Sequence, residues 1–116
     1  MSKKVIDNWL ALATYDFDTA KHMLKTKRYL YVAFTCQQCI EKTLKAIYVS
    51  EKNETPPYIH NLTKLADLLS LKLSEEQYQF LGVLNAYYIG TRYADELSKL
   101  SRSLNNKNTA TIFKQT

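Results

Sequence analysis

Gln37-Gln38-Cys39-Ile40-Glu41-Lys42-Thr43-Leu44-Lys45-Ala46 sets two amides, a carboxylate and two ammonium groups inside a run that otherwise reads as a core helix. Residues three, four and seven apart share a helix face. On that spacing Gln38, Glu41, Lys42 and Lys45 form one polar stripe, while Ala33, Cys36, Ile40, Leu44 and Ile47 form an apolar line on another side. A helix that only packed would have little use for so ordered a stripe. The pattern points to something polar set against it.

The periodicity extends this helix from about Tyr29 to Lys52. Upstream, Ile6, Trp9 or Leu10, Ala13, Phe17, Ala20 and Leu24 recur at helical spacing and predict a helix over about Ile6 to Lys25. The short connector Thr26-Lys27-Arg28 makes the two helices antiparallel neighbours. Downstream, Pro56-Pro57 cannot continue a helix and marks a loop. Asn61 caps a third helix from Leu62 to about Leu71, and Ser74 with Gln77 three residues on is a capping box for a fourth, about Glu75 to Arg92.

That fourth helix is apolar around more than half its circumference, through Tyr78, Phe80, Leu81, Val83, Leu84, Tyr87, Tyr88 and Ile89. One packing face needs less. Gly82 in its middle weakens it by up to about 1 kcal/mol, which a close approach by another helix offsets. The helix is therefore expected to be covered by its own chain on one side and by a second subunit on the other. The signal fades beyond Leu97, Asn105-Asn106-Lys107-Asn108 reads as a break, and Thr109 to Thr116 as the start of a last helix.

A chain of 116 residues is expected to form one domain, residues 1–116. With only two glycines, two prolines and no long alternating run, strand-rich folds are disfavoured. The expected fold class is all-α, an up-and-down bundle of four to five helices. No apolar run reaches the roughly 20 residues of a membrane span, and no signal-peptide apolar region follows Lys4, so a cytoplasmic protein with no membrane partner is expected.

Cys36 and Cys39 have CxxC spacing but fall mid-helix, without the helix N-terminus that activates redox thiols and without a second pair for zinc. They read as buried structural thiols, and no metal or cofactor is expected. The net charge of +5 is unevenly placed. No acid lies between Asp18 and Glu41, where Lys21, Lys25, Lys27 and Arg28 stand, and none follows Glu96, after which come Lys99, Arg102, Lys107 and Lys114. Such runs favour phosphate-bearing partners, although solvated faces carry the same charges.

Trp9, Ala13, Asp16 and Ala20, then the Gln37–Ala46 stretch, Pro56-Pro57, His60-Asn61-Leu62 with Leu65, and Thr91-Arg92-Tyr93-Ala94-Asp95 follow one another in an order that resembles the HEPN domain family (higher eukaryotes and prokaryotes nucleotide-binding) over roughly residues 5 to 115. The resemblance is to its stand-alone prokaryotic type. It implies a helical bundle, a homodimer, and a small nucleotidyltransferase as partner in a toxin–antitoxin-like pair. Many members are metal-independent ribonucleases with an Arg followed after four to six residues by a His. Here no His follows His60. Metal-free RNA cleavage needs a base near neutral pH, usually His, so only Arg92 carries over and no catalytic residue is assigned. The long last helix usual in the family is also shortened, degenerate or cut.

The candidate nucleotide- or phosphate-binding residues are Gln38, Glu41, Lys42, Lys45, His60, Arg92, Tyr93 and Asp95. Each has a structural alternative. Lys42 pairs with Glu41 or Asp95 as a bridge, and Arg92 with Asp95 or Glu41. His60 caps or packs, and Tyr87, Tyr88 and Tyr93 either stack a base or build an interface. The expected role is a non-catalytic nucleotide- or RNA-associated binding module. The alternatives are a ribonuclease toxin using His60, and a protein–protein adaptor.

Overall fold

The computed structural model describes residues 2–90 and 92–116. Thr91, which opens the Thr91–Asp95 stretch, lies outside the described residues. Six helices form among them: α1 (Lys3–Lys25), α2 (Tyr29–Lys52), α3 (Leu62–Asp67), α4 (Glu75–Asn85), α5 (Ala94–Ser103) and α6 (Asn106–Gln115). The all-α bundle stands, with six helices where four to five were expected.

α1 and α2 run antiparallel and form the backbone of the bundle. Their connector is a left-handed helix stop. Arg28 N–H donates to Met23 O at 2.8 Å and Lys27 N–H to Leu24 O at 3.2 Å, with Lys27 at φ 62°. Glycine is the residue that adopts this conformation freely; a lysine there costs about 1 kcal/mol. α2 stops in the same way at Asn53, φ 54°.

The shorter helices close over the apolar side of this pair. Leu62 and Leu65 of α3 and Leu84 of α4 are fully buried in one cluster with Val32, Ala33, Cys36 and Leu44 of α2. Each such leucine contributes roughly 1.5–3 kcal/mol through burial. Phe113 of α6 stacks on Phe17 of α1, centroids 4.8 Å apart, which closes the bundle on its far side.

Three boundaries differ from expectation. α3 stops at Asp67, not near Leu71. α4 stops at Asn85, not Arg92, because the Asn85 side chain turns back to bond the α3 N-terminus. The chain then tightens into i→i+3 turns at Ala86 and Tyr87. Tyr87, Tyr88 and Ile89 kept the sequence apolar and so prolonged the helical signal past its true end. The break expected at Asn105–Asn108 is present, at Leu104 and Asn105 between α5 and α6, and its asparagines also cap the helix that follows. Asn105 Oδ1 accepts from Asn108 N–H at 2.9 Å and Asn108 Oδ1 from Asn105 N–H at 2.7 Å, so α6 starts at Asn106.

Candidate functional site

α2 brings Gln37, Gln38, Glu41 and Lys45 onto one side, and the loop before α3 lays His60 across them. Glu41, only 3% exposed, is the centre. Its Oε1 accepts from Gln37 Nε2 at 3.3 Å and Gln38 Nε2 at 3.5 Å, and lies 3.0 Å from His60 Nδ1. Its Oε2 accepts from Lys45 Nζ at 3.1 Å. Gln37 Nε2 also donates to His60 O at 3.0 Å, and Gln37 Oε1 accepts from Gln38 Nε2 at 2.7 Å. Every buried polar atom of this cluster has a partner, which is what a buried charge requires.

A carboxylate can only accept hydrogen bonds here, so the ring nitrogen facing it carries the proton. His60 is thereby held with Nδ1–H on Glu41, and its other nitrogen has no hydrogen-bond partner among the described residues. The ring stacks on Tyr88, centroids 4.2 Å apart at 12°, and Tyr88 leans on Phe34 at 6.1 Å. Gly90 makes this possible. A Cβ there would stand 2.5 Å from Tyr88 Oη, so only glycine lets the chain pass under the ring.

Asn61 and Asn85 fix the loop that carries His60. Asn61 Oδ1 accepts from Lys64 N–H, Thr63 Oγ1 and Asn85 Nδ2, and Asn85 Oδ1 accepts from Leu62 N–H at 2.8 Å. His60, Asn61, Asn85 and Tyr88 line a shallow recess of about 190 Å³. A larger apolar groove of about 330 Å³ runs between α2 and α4 past Ile40, Leu44, Leu73 and Phe80. It contains none of the expected site residues.

The polar stripe is thus brought together, but largely as an internal network. Lys42 bonds Asp16 of α1, neither Glu41 nor Asp95. Lys45 lies 5.7 Å from the centroid of Trp9, a cation–π contact that seals the end of the network. Gln37, fully buried and central, was missing from the expected set; its i,i+4 spacing to Glu41 was the available signal.

Arg92 departs further. It sits in the irregular stretch before α5, not at a helix C-terminus, and its Nη1 donates to Glu96 Oε2 at 3.1 Å, not to Asp95 or Glu41. Its Nε is buried without a partner among the described residues. Tyr93 is the α5 N-cap residue and is 77% exposed, and Asp95 is exposed in the first turn of α5. The structure does not join these two to the Glu41 network.

Cys36 and Cys39 are free and buried. Burial pushes the Cys36 thiol up to about 11 and raises Cys39 as well, which leaves both poor nucleophiles near neutral pH. No helix is long and apolar enough to cross a membrane among the described residues.

Comparison with known proteins bears on the whole chain. The family model described as HEPN domain matches residues 6–113. Among solved structures, the chain is similar to the crystal structure of TT1696 from Thermus thermophilus, with a TM-score of 0.81 and 22% identity. The alignment covers 95% of this chain and 88% of that one. At this identity the likeness establishes a shared fold. No curated protein matches.

Proposed function

We propose, since the chain belongs to the HEPN domain family, that it is a non-catalytic binding module that takes a nucleotide or an RNA phosphate beside His60. The observation that carries this reading is the buried Glu41 carboxylate, which orients His60 against Tyr88 at the edge of an open recess. Aromatic faces of this kind stack unpaired bases. Arg92, with its unpartnered Nε, is the cation assigned to the phosphate. Gln38, Glu41, Lys42 and Lys45 act behind this surface, holding it in shape. Titration with ATP, GTP and a short single-stranded RNA tests the assignment. Binding lost in both His60→Ala and Arg92→Ala supports it; binding unchanged in both contradicts it.

The same reading makes the protein a homodimer and the partner of a small nucleotidyltransferase in a cytoplasmic toxin–antitoxin-like pair. Support for the dimer comes from α4. No described atom lies within 4 Å of a Cβ built on Gly82, Val83 is 53% exposed and Tyr78 40%. The approach expected at Gly82 is therefore not made within the chain, and a second subunit is the covering proposed for it. Light scattering of the purified protein reads this directly, with the Val83→Arg variant expected to be monomeric.

A second reading, a metal-independent ribonuclease, draws on one specific observation. A histidine whose Nδ1–H is held by a buried carboxylate presents its other nitrogen as a base. Cleavage of single-stranded RNA in chelator, abolished in both His60→Ala and Arg92→Ala, would establish it; inactivity on several RNAs would remove it.

A further inference from the structure

The positive charge of this chain gathers at one end of the bundle. Lys21, Lys25, Lys27 and Arg28 occupy the last two turns of α1 and its connector, and all four are exposed. Lys99, Arg102 and Lys107 flank the corner between α5 and α6, also exposed. The packing brings these segments together. Phe113 stacks on Phe17, while Gln115 and Thr116 lie against Leu71, Leu73, Gln77 and Phe80, on the side of the bundle where Ser70 bonds Glu51 near the end of α2. α6 therefore runs against α1, and its start, seven residues before Phe113, lies about 10 Å nearer the α1–α2 connector. Leu104, at the α5–α6 corner, is buried in the same core cluster as Ala20 of α1 and Val32 of α2.

None of these seven cations enters an ion pair among the described residues. The nearest acids in sequence are Asp18, one turn before Lys21, and Glu96, one turn before Lys99 and paired with Arg92. The backbone at Lys27 points the same way. This residue holds the left-handed helix stop that glycine fills without strain, so the chain keeps a cation there against its backbone preference.

We infer that this basic end is a second surface, separate from the His60 recess, that binds the phosphate backbone of a single-stranded nucleic acid. It stands about 13 Å along α2 from Gln37, the nine residues back to Arg28. A strand is favoured over an anionic lipid surface because, of the large exposed apolar side chains among the described residues, only Tyr31 lies beside this basic segment, one turn beyond Arg28 and 49% exposed. A membrane surface calls for an apolar face beneath the charges, whereas a strand needs cations and an occasional stacking ring. The inference stands independently of the reading of the His60 site.

The test is fluorescence anisotropy of a labelled, unstructured 20-nucleotide RNA across roughly 50 to 200 mM salt. The paired substitution Lys25→Glu/Arg28→Glu is expected to weaken binding at least tenfold and to flatten the log–log salt slope, by about 0.7 for each cation lost. Lys64→Glu/Lys72→Glu, on exposed lysines of the opposite half, is expected to change affinity less than twofold. Lys27→Gly should weaken binding severalfold while raising the melting temperature, which separates lost affinity from lost folding. Equal weakening by both charge pairs, unchanged binding in Lys27→Gly, or no RNA binding by the wild type at low salt would overturn the inference. His60→Ala, by contrast, should abolish mononucleotide binding and leave the salt slope unchanged, so failure at one surface is distinguishable from failure at the other.

Discussion

The middle of α2 and the stretch from Tyr87 to Glu96 carry the same kinds of side chain and use them in opposite ways. In α2 the amides, carboxylate and ammonium groups of Gln37, Gln38, Glu41 and Lys45 are buried or half-buried and closed on one another. Around Arg92 the guanidinium is partly exposed, reaches a half-exposed Glu96, and leaves its Nε unpaired among the described residues. The first region is preorganised and stabilises the bundle; in the second, Tyr87 and Tyr88 are packed, and the Arg92 side chain makes one ion pair among the described residues. Polar residues at helical spacing mark both, so spacing alone does not separate a scaffold from a binding edge. Burial does.

The sharpest way to break this contrast is Glu41→Ala. It leaves Lys45 buried without its carboxylate and should cost about 3 kcal/mol in urea unfolding. A loss below about 1 kcal/mol would mean that the network is not structural. Next in size is Gly90→Ala, whose Cβ drives Tyr88 off His60. It should cost about 1.5 kcal/mol and shift the His60 ring resonances, while wild-type shifts would show that the stack does not depend on Gly90.

The thiols of α2 give a pH-dependent reading of the same packed region. Cys36, raised from 9.0 to about 11, stays protonated when folded after the unfolded thiol has ionised. Its contribution is therefore present below about pH 9 and is lost as pH rises towards about 11. Cys36→Ala should make the alkaline fall in stability shallower, and native Cys36 should alkylate far more slowly than the unfolded chain. The smallest effect belongs to the other region. Arg92→Ala removes a half-exposed i,i+4 pair and should change stability by less than about 0.5 kcal/mol, yet abolish nucleotide binding. A large stability loss would place Arg92 in the scaffold instead.

Much of the fold was legible beforehand. The stop of α1 at Lys25, both ends of α2, the Asn61 cap and the Ser74–Gln77 capping box follow from period and cap chemistry alone. Two of the misses have one cause, side chains that act across the chain, whereas Arg92 simply pairs with Glu96 four residues on. α4 ends where Asn85 bonds Leu62, a contact 23 residues away, and the local sequence carries no trace of it. Likewise the partner of Lys42 was expected to be Glu41 or Asp95 and is Asp16 of α1. In the site, Glu41, Lys45 and His60 were named from pattern, but their mutual bonding, the burial of Gln37 and the stacking of His60 on Tyr88 come from tertiary packing.

The proposed site depends on Glu41 fixing the proton of His60 on Nδ1. Long-range ¹H–¹⁵N correlation of the imidazole near pH 8.5, where an ordinary histidine is neutral, reads the tautomer directly. The wild type is expected to show the Nδ1–H form, and Glu41→Gln to shift the ring towards the more usual Nε2–H form. An Nε2–H ring in the wild type, unmoved by that substitution, would contradict the orientation on which nucleotide binding beside His60 rests.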